Sequence, residues 1–278
     1  MKAGIYFYGL GTVLFGVLDL IWGQFEGSHQ PVASVMGNMP AVQFFAYIAA
    51  GWMIAAGLAM LWNRTVRMGA AASGILYAIF FAFWVLRFGM AIHSIGWQPK
   101  VVFGFLFPGG QAVFLIAPAV ILYVATTTED LVSRKRAETA ARWMLGLPPI
   151  CFGLGHLMNV PVIARFVPHW VPFGSFWTVL TGIAFVLAGS AIVSGIRDVL
   201  AARLLMLMLF LFELMVEIPP VFVQPHSQNA WGGAVYNLTA MGACWIFVAS
   251  VASRSHADQR QTSVAGNVAT SHPDSAIA

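Results

Sequence analysis

Charge is what this chain has least of. Asp, Glu, Lys and Arg make up 9% of its 278 residues, where a soluble domain carries roughly 25%. With 59% apolar residues and a mean hydropathy of +0.80, a water-soluble globule is excluded. Cysteine is also scarce. Cys151 and Cys244 are the only two, which leaves no C-x-x-C and no basis for a cysteine metal site or a structural disulfide. The sequence also lacks a phosphate-binding glycine loop, a nucleophile elbow and the H-x-x-x-H or H-x-x-E-H spacing of a helical metal site. Any metal site would need ligands from different helices, so no metal and no cofactor is evident. The net charge of +4 follows from loop topology and gives no reason to expect nucleic acid.

What is present is apolar and long. Eight stretches approach the ~20 residues a bilayer-spanning helix needs: 4–24, 41–62, 69–91, 109–125, 143–164, 175–195, 204–223 and 232–252. The expected fold is therefore an all-α integral membrane protein with eight transmembrane helices. The fourth stretch is the shortest, with Pro118 interrupting it, and the apolar start after Lys2 reads as a retained first helix.

Counting Lys and Arg orients the spans. Eleven (Lys2, Arg64, Arg67, Arg134, Lys135, Arg136, Arg142, Arg197, Arg203, Arg254 and Arg260) fall on the side of both termini; Lys100 and Arg165 fall on the other. That bias predicts cytoplasmic N- and C-termini. Trp62 and Trp143 fall at the inner interface, and Trp97, Trp170 and Trp231 at the outer one. Residues 253–278 are polar, without periodicity, and read as a disordered cytoplasmic tail.

The chain also repeats itself. Gly9-Leu10, Phe15-Gly16 and Leu20 recur as Gly146-Leu147, Phe152-Gly153 and Leu157. Pro40, Phe44, Ala56-Gly57, Ala70 and Phe80 match Pro172, Phe176, Ala188-Gly189, Ala202 and Phe212. Gly109-Gly110 and Gly232-Gly233 open the last helix of each half. Four spans per half is an even number, so the expected arrangement is two parallel-repeat four-helix bundles. These are residues 1–128 and 143–252, joined by a basic linker at 129–142.

The helix Phe152-Gly153…His156, the loop Phe166–Pro172 and the following Phe176-Trp177 resemble the DoxX-like family of bacterial membrane proteins. The second half carries the likeness best; the first has Asp19 where the second has His156. The resemblance implies a four-helix unit in a bacterial cytoplasmic (inner) membrane. For the members that gave the family its name, it implies a membrane subunit of a quinone-linked oxidoreductase, but no residue set here transfers that activity.

Four polar groups sit inside the apolar spans: Asp19, His156, Glu213 and Glu217. A charge at mid-membrane costs at least ~2.5–3.5 kcal/mol, so such groups are paired, buried in the bundle or used. Glu213 and Glu217, spaced i and i+4, are expected to share one helix face about 6 Å apart along the axis. Asp19 and His156 are expected at matched positions across the repeat, and Arg87 is the natural ion-pair partner of Asp19. Pro148-Pro149 and Pro219-Pro220 are expected to kink their helices. Glu26, His29, His93, Arg165, His169 and His226 surround this set toward the outer side; the loop histidines read as surface or headgroup residues.

Three functions suit this pattern. One is an enzyme, or the membrane subunit of one, acting on a lipidic quinone or isoprenoid. There Glu213 and Glu217 would be the acid/base residues, His156 the relay, and Asp19 with Arg87 the orienting pair. The second is a proton-coupled permease, although no ionisable residue continues the path inward along the start of the seventh helix. The third is a non-catalytic scaffold holding a lipid or a redox partner subunit.

Overall fold

The computed structural model describes residues 1–37, 40–127 and 130–270. All regular structure among them is helical: α1 (Lys2–Trp22), α2 (Val32–Met36), α3 (Pro40–Met60), α4 (Val66–Ile95), α5 (Pro99–Thr127), α6 (Leu131–Met158), α7 (Val160–Ile163), α8 (Gly174–Ser194), α9 (Asp198–Phe212), α10 (Ile218–Val223) and α11 (Gln228–Thr270). Among the described residues seven helices are long and apolar enough to cross a membrane, and there are eight spans if the bent pair Val132–Met158 and Val160–Phe166 counts as one. Span number and position thus follow the hydropathy of the sequence closely.

Several local expectations are corrected. Pro118 does not interrupt its helix: α5 runs unbroken through Pro108 and Pro118 and is one of the longest spans. Neighbouring helices let a transmembrane helix tolerate a proline. The break in the fifth span comes after His156 and not at Pro148-Pro149, both of which lie within α6. The chain bends by 93° between α6 and α7. Pro161 in the first turn of α7 lacks the N–H that would continue α6 onto Leu157, and the Asn159 side chain donates to Gly155 O (3.2 Å) at the end of α6.

From Leu131 on, the basic stretch expected as a linker is helical. It is the start of α6, whose first N–H groups at Val132 and Ser133 donate to the Asp130 carboxylate (3.2 and 2.9 Å), the local satisfaction a helix start requires. Arg142, on the same helix, clamps Asp198 (2.5 Å) and Glu138 (3.1 Å). The tail expected to be disordered continues as helix to Thr270; propagating a formed helix avoids the nucleation cost. Residues 271–278 lie outside the described residues.

The eight spans close into one ring. Each packs against its neighbours in sequence, α1 closes onto α11, and α5 meets α11 across the middle. The two halves are therefore interlocked and not separate bundles: the first helix of each half packs on the last helix of the other. Small residues allow the closest approaches, as association within lipid requires. A Cβ on Gly16 would stand 2.6 Å from Ala50 O, and one on Gly153 would collide with Gly182 O. Likewise Gly9 abuts Gly57, and Gly146 abuts Gly189.

Candidate functional site

Polar groups converge at one end of the ring, where α1 finishes and α11 begins. α1 ends on Gly23, whose left-handed backbone (φ 62°) turns the chain back on itself. The loop that follows is tucked inward, with Phe25, Glu26 and Gln30 buried. It is stitched to α11 and to the loop preceding it. Gln24 Nε2 donates to Gln228 Oε1 (3.0 Å), Gln228 Nε2 donates back to Gln24 O (3.1 Å), and Trp22 Nε1 donates to His226 O (3.3 Å).

Within that loop Glu26 and His29 form a pair. Glu26 Oε2 lies 2.6 Å from His29 Nδ1, and the same carboxylate accepts the N–H groups of Ser28 (3.1 Å) and His29 (2.9 Å). The turn that makes this possible is closed by Gln30 N–H on Glu26 O at 2.8 Å. Burial alone would raise the Glu26 acid, but the imidazole and the two backbone N–H groups outweigh it. They hold Glu26 below its ordinary value of about 4.5. The His29 ring stacks on Tyr236 of α11 (centroids 4.9 Å apart) and leans on Phe15 of α1 (5.5 Å), while His29 O accepts Trp84 Nε1 from α4 at 3.4 Å. A carboxylate on Nδ1 fixes the orientation and tautomer of an imidazole and leaves Nε2 for exchange.

Asp19 supports this pair from below. It is fully buried, and its Oδ1 accepts the Glu26 backbone N–H (3.2 Å) and Gln228 Nε2 (3.4 Å). Its Oδ2 is buried without a partner, as are Gln30 Oε1 and Glu213 Oε2. Gln30 Oε1 can only accept, whereas a carboxyl oxygen accepts when ionised and can carry a proton when neutral.

Glu217 belongs to the same cluster, with His29 as its electrostatic neighbour. Two adjacent glycines at the start of α11 seat the acids. A Cβ on Gly232 would stand 2.7 Å from Glu26 Cδ, and one on Gly233 would strike the Glu217 carboxylate. Glu213 and Glu217 bracket a π-helical turn and are electrostatic neighbours. Pro219 and Pro220, with no N–H to offer, follow at once, and Ile218 N–H reaches back to Glu213 O. Such a turn is a frequent mark of functional sites in helices. The i, i+4 pair read from the sequence thus lies on a π-helical turn and not on a regular α-helical one.

No protein family, curated protein or solved structure matches this chain.

The cluster therefore keeps Asp19, Glu217 and, through Glu217, Glu213, but not the other two expected members. His156 turns its Nδ1 to Phe152 O (2.8 Å) and rests against Phe185 (5.3 Å). No hydrogen bond or ion pair joins it to Asp19, Glu213 or Glu217 among the described residues. Arg87 does not pair with Asp19; it is exposed, and its guanidinium sits 4.9 Å over the Trp84 ring. Conversely, the sequence reading left Glu26 and His29 outside the constellation and missed Gln228 and Tyr236. Glu26-Gly-Ser-His29 offered one local signal, an acid and an imidazole three residues apart. His93, His169 and His226 are exposed, as expected, although His93 lies in the last turn of α4 and not in a loop.

Proposed function

We propose that this is a protein of the bacterial cytoplasmic membrane, with both termini cytoplasmic, that exchanges a proton with the head of a lipidic quinone or isoprenoid. It would act either as an acid/base enzyme or as the membrane subunit of a quinone-linked oxidoreductase that receives electrons from a partner subunit. The bias of eleven Lys and Arg against two supports the orientation, which places the cluster toward the outer side. The matched contacts Gly9–Gly57 with Gly146–Gly189, and Gly16–Ala50 with Gly153–Gly182, support a duplicated four-helix unit with parallel halves. The DoxX-like resemblance favours a quinone, but its motif lies in the second half and contributes no residue to the pair at His29.

The observation that carries the reading is the Glu26–His29 pair, stacked on Tyr236. His29 Nε2 would accept a hydroxyl proton from the substrate while Glu26 stabilises the imidazolium, the division of labour of an oriented general base. Glu217, beside His29, and Glu213, deeper in its helix, would hold the proton next. Asp19 is a positioning residue, acting through the Glu26 N–H.

Mass spectrometry of small molecules retained on gentle purification, followed by turnover of the retained molecule in liposomes, tests this. His29→Gln and Glu213→Gln should each abolish turnover at unchanged membrane levels. Full turnover in His29→Gln would overturn the reading.

A further inference from the structure

Behind Phe80, the helices α1, α4, α5 and α11 and the loop after α1 meet around a narrow void of about 10 Å³. That is about the space one water needs. The walls are largely aromatic, Phe15 and Tyr236 among them, but His29, Gln30, Tyr77 and Gln111 line the void as well. A buried water is held by two to four polar partners. The bonding of these side chains shows which of them are free to serve.

Both Glu26 oxygens accept backbone N–H groups, Oε1 from Ser28 and Oε2 from His29. The 2.6 Å contact with the His29 ring is therefore a donation from Nδ1–H, and Nε2 is the ring nitrogen left over. Gln30 holds its Nε2 3.8 Å from Met53 Sδ of α3, while its Oε1 is buried without a donor. The Tyr77 hydroxyl lies 3.1 Å from Thr12 Oγ1. Thr12 has a single hydroxyl hydrogen, which it gives to Tyr8 O at 2.9 Å. Tyr77 therefore donates to Thr12 and keeps its own oxygen free to accept. The side chains around the void thus offer two acceptors, Gln30 Oε1 and Tyr77 Oη. They also offer one imidazole nitrogen that accepts when neutral and donates when protonated.

We infer that the void seats one water, anchored by donating to Gln30 Oε1, through which His29 Nε2 takes up and returns its proton. With His29 neutral, the second hydrogen of that water points to Nε2. As the water hands this proton to Nε2 it takes one from the substrate hydroxyl, so an O–H bond of the substrate breaks, an N–H bond forms and the water is left whole. It then accepts from Nε2–H and turns its free hydrogen to Tyr77 Oη. Both protonation states of His29 are thus fully bonded, as a buried polar group requires. A space of one-water size keeps any larger group out of the void, and a general base acts through one water as well as by direct contact. Gln30 is a positioning residue, acting through the water. This inference rests on the acid/base reading above and names the proton carrier at that site.

The test is nuclear magnetic resonance on the full chain in nanodiscs, with isotope-labelled histidine rings. The His29 signals are those lost in His29→Gln, and the Nδ1–H signal shifted by the Glu26 carboxylate reports that the pair is intact. A single slowly exchanging water should transfer magnetisation to the His29 ring. Ala112→Val fills the void from a buried wall position, and Gln30→Met removes the anchoring acceptor at similar volume. Each should abolish the transfer while the Nδ1–H signal stays. Turnover should fall about tenfold in Gln30→Met, the worth of one good hydrogen bond. No transfer in the unaltered chain would overturn the inference. So would transfer unchanged in Gln30→Met, with Oε1 finding its donor elsewhere, as on the neighbouring Asp19. Transfer that survives Ala112→Val would come from bulk water at the edge of the ring and would count against it equally. The expected transfer with full turnover in His29→Gln would sink the acid/base reading and leave the water site standing. Turnover lost in His29→Gln with no water at the ring would do the reverse.

Discussion

Glu26 and His29, three residues apart in a loop, meet through a carboxylate oxygen and Nδ1 at 2.6 Å and are roofed by Tyr236 from the far end of the chain. Around this pair the helices of the first half and the last helix of the second come together. Its geometry gives the first expectation. Glu26 is held below its ordinary value, and a depressed acid adds stability that is complete above the unfolded value and is lost as pH falls through the folded one. Thermal stability should hold down to about pH 4.5 and then decline, with Glu26→Gln flattening that part of the curve. An unchanged curve in the variant would show that the pair does not tie the loop down.

Asp19 gives a contrast between two substitutions. Asn keeps the oxygen that accepts the Glu26 N–H. Asp19→Asn should therefore cost less stability than Asp19→Leu. Asp19→Leu strands the Glu26 N–H and should cost about 1–3 kcal/mol, read as a lowered melting temperature in detergent.

Arg87 should matter little. Its guanidinium is exposed over Trp84, a contact worth roughly 0.5–1 kcal/mol, and Arg87→Ala should lose no more than that. A buried partner of Asp19 would instead cost about 3–5 kcal/mol on removal, so a large loss would restore the ion pair expected from sequence.

Gly16 and Gly51 should part company. A Cβ at Gly16 meets the backbone at Ala50 O, whereas one at Gly51 meets nothing within 4 Å. Gly16→Ala should destabilise by about 1–3 kcal/mol. Gly51→Ala, a better helix former in open space, should be neutral or stabilising by a few tenths to about 1 kcal/mol. Equal effects would argue against the α1–α3 contact.

The spans were legible because hydropathy is a one-dimensional property: Lys2–Trp22, Val66–Ile95 and Gly174–Ser194 can be read without knowing what they touch. The small-residue contacts were legible too, since Phe15-Gly16 and Phe152-Gly153 stand out in the sequence and each glycine abuts a neighbouring helix. Proline was harder to read, because its effect depends on whether neighbours satisfy the freed carbonyls. Pro118 is absorbed within α5, while Pro161 lies just beyond the end of α6.

The scarcity of charge, with a handful of ionisable groups set inside apolar helices, by itself determined that this is a membrane protein with polar groups to account for. It did not determine their company. Arg87 and Asp19 looked like partners by sign and depth, yet the ring turns Arg87 to the surface. His156 looked like the counterpart of Asp19, yet it bonds to its own helix. Gln228 reaches Asp19 across 209 positions of chain, and Glu26 and His29 enter the site only because Gly23 turns a loop inward. Burial preference is set residue by residue. Contact is set by how eight helices close, and only the tertiary structure supplied that.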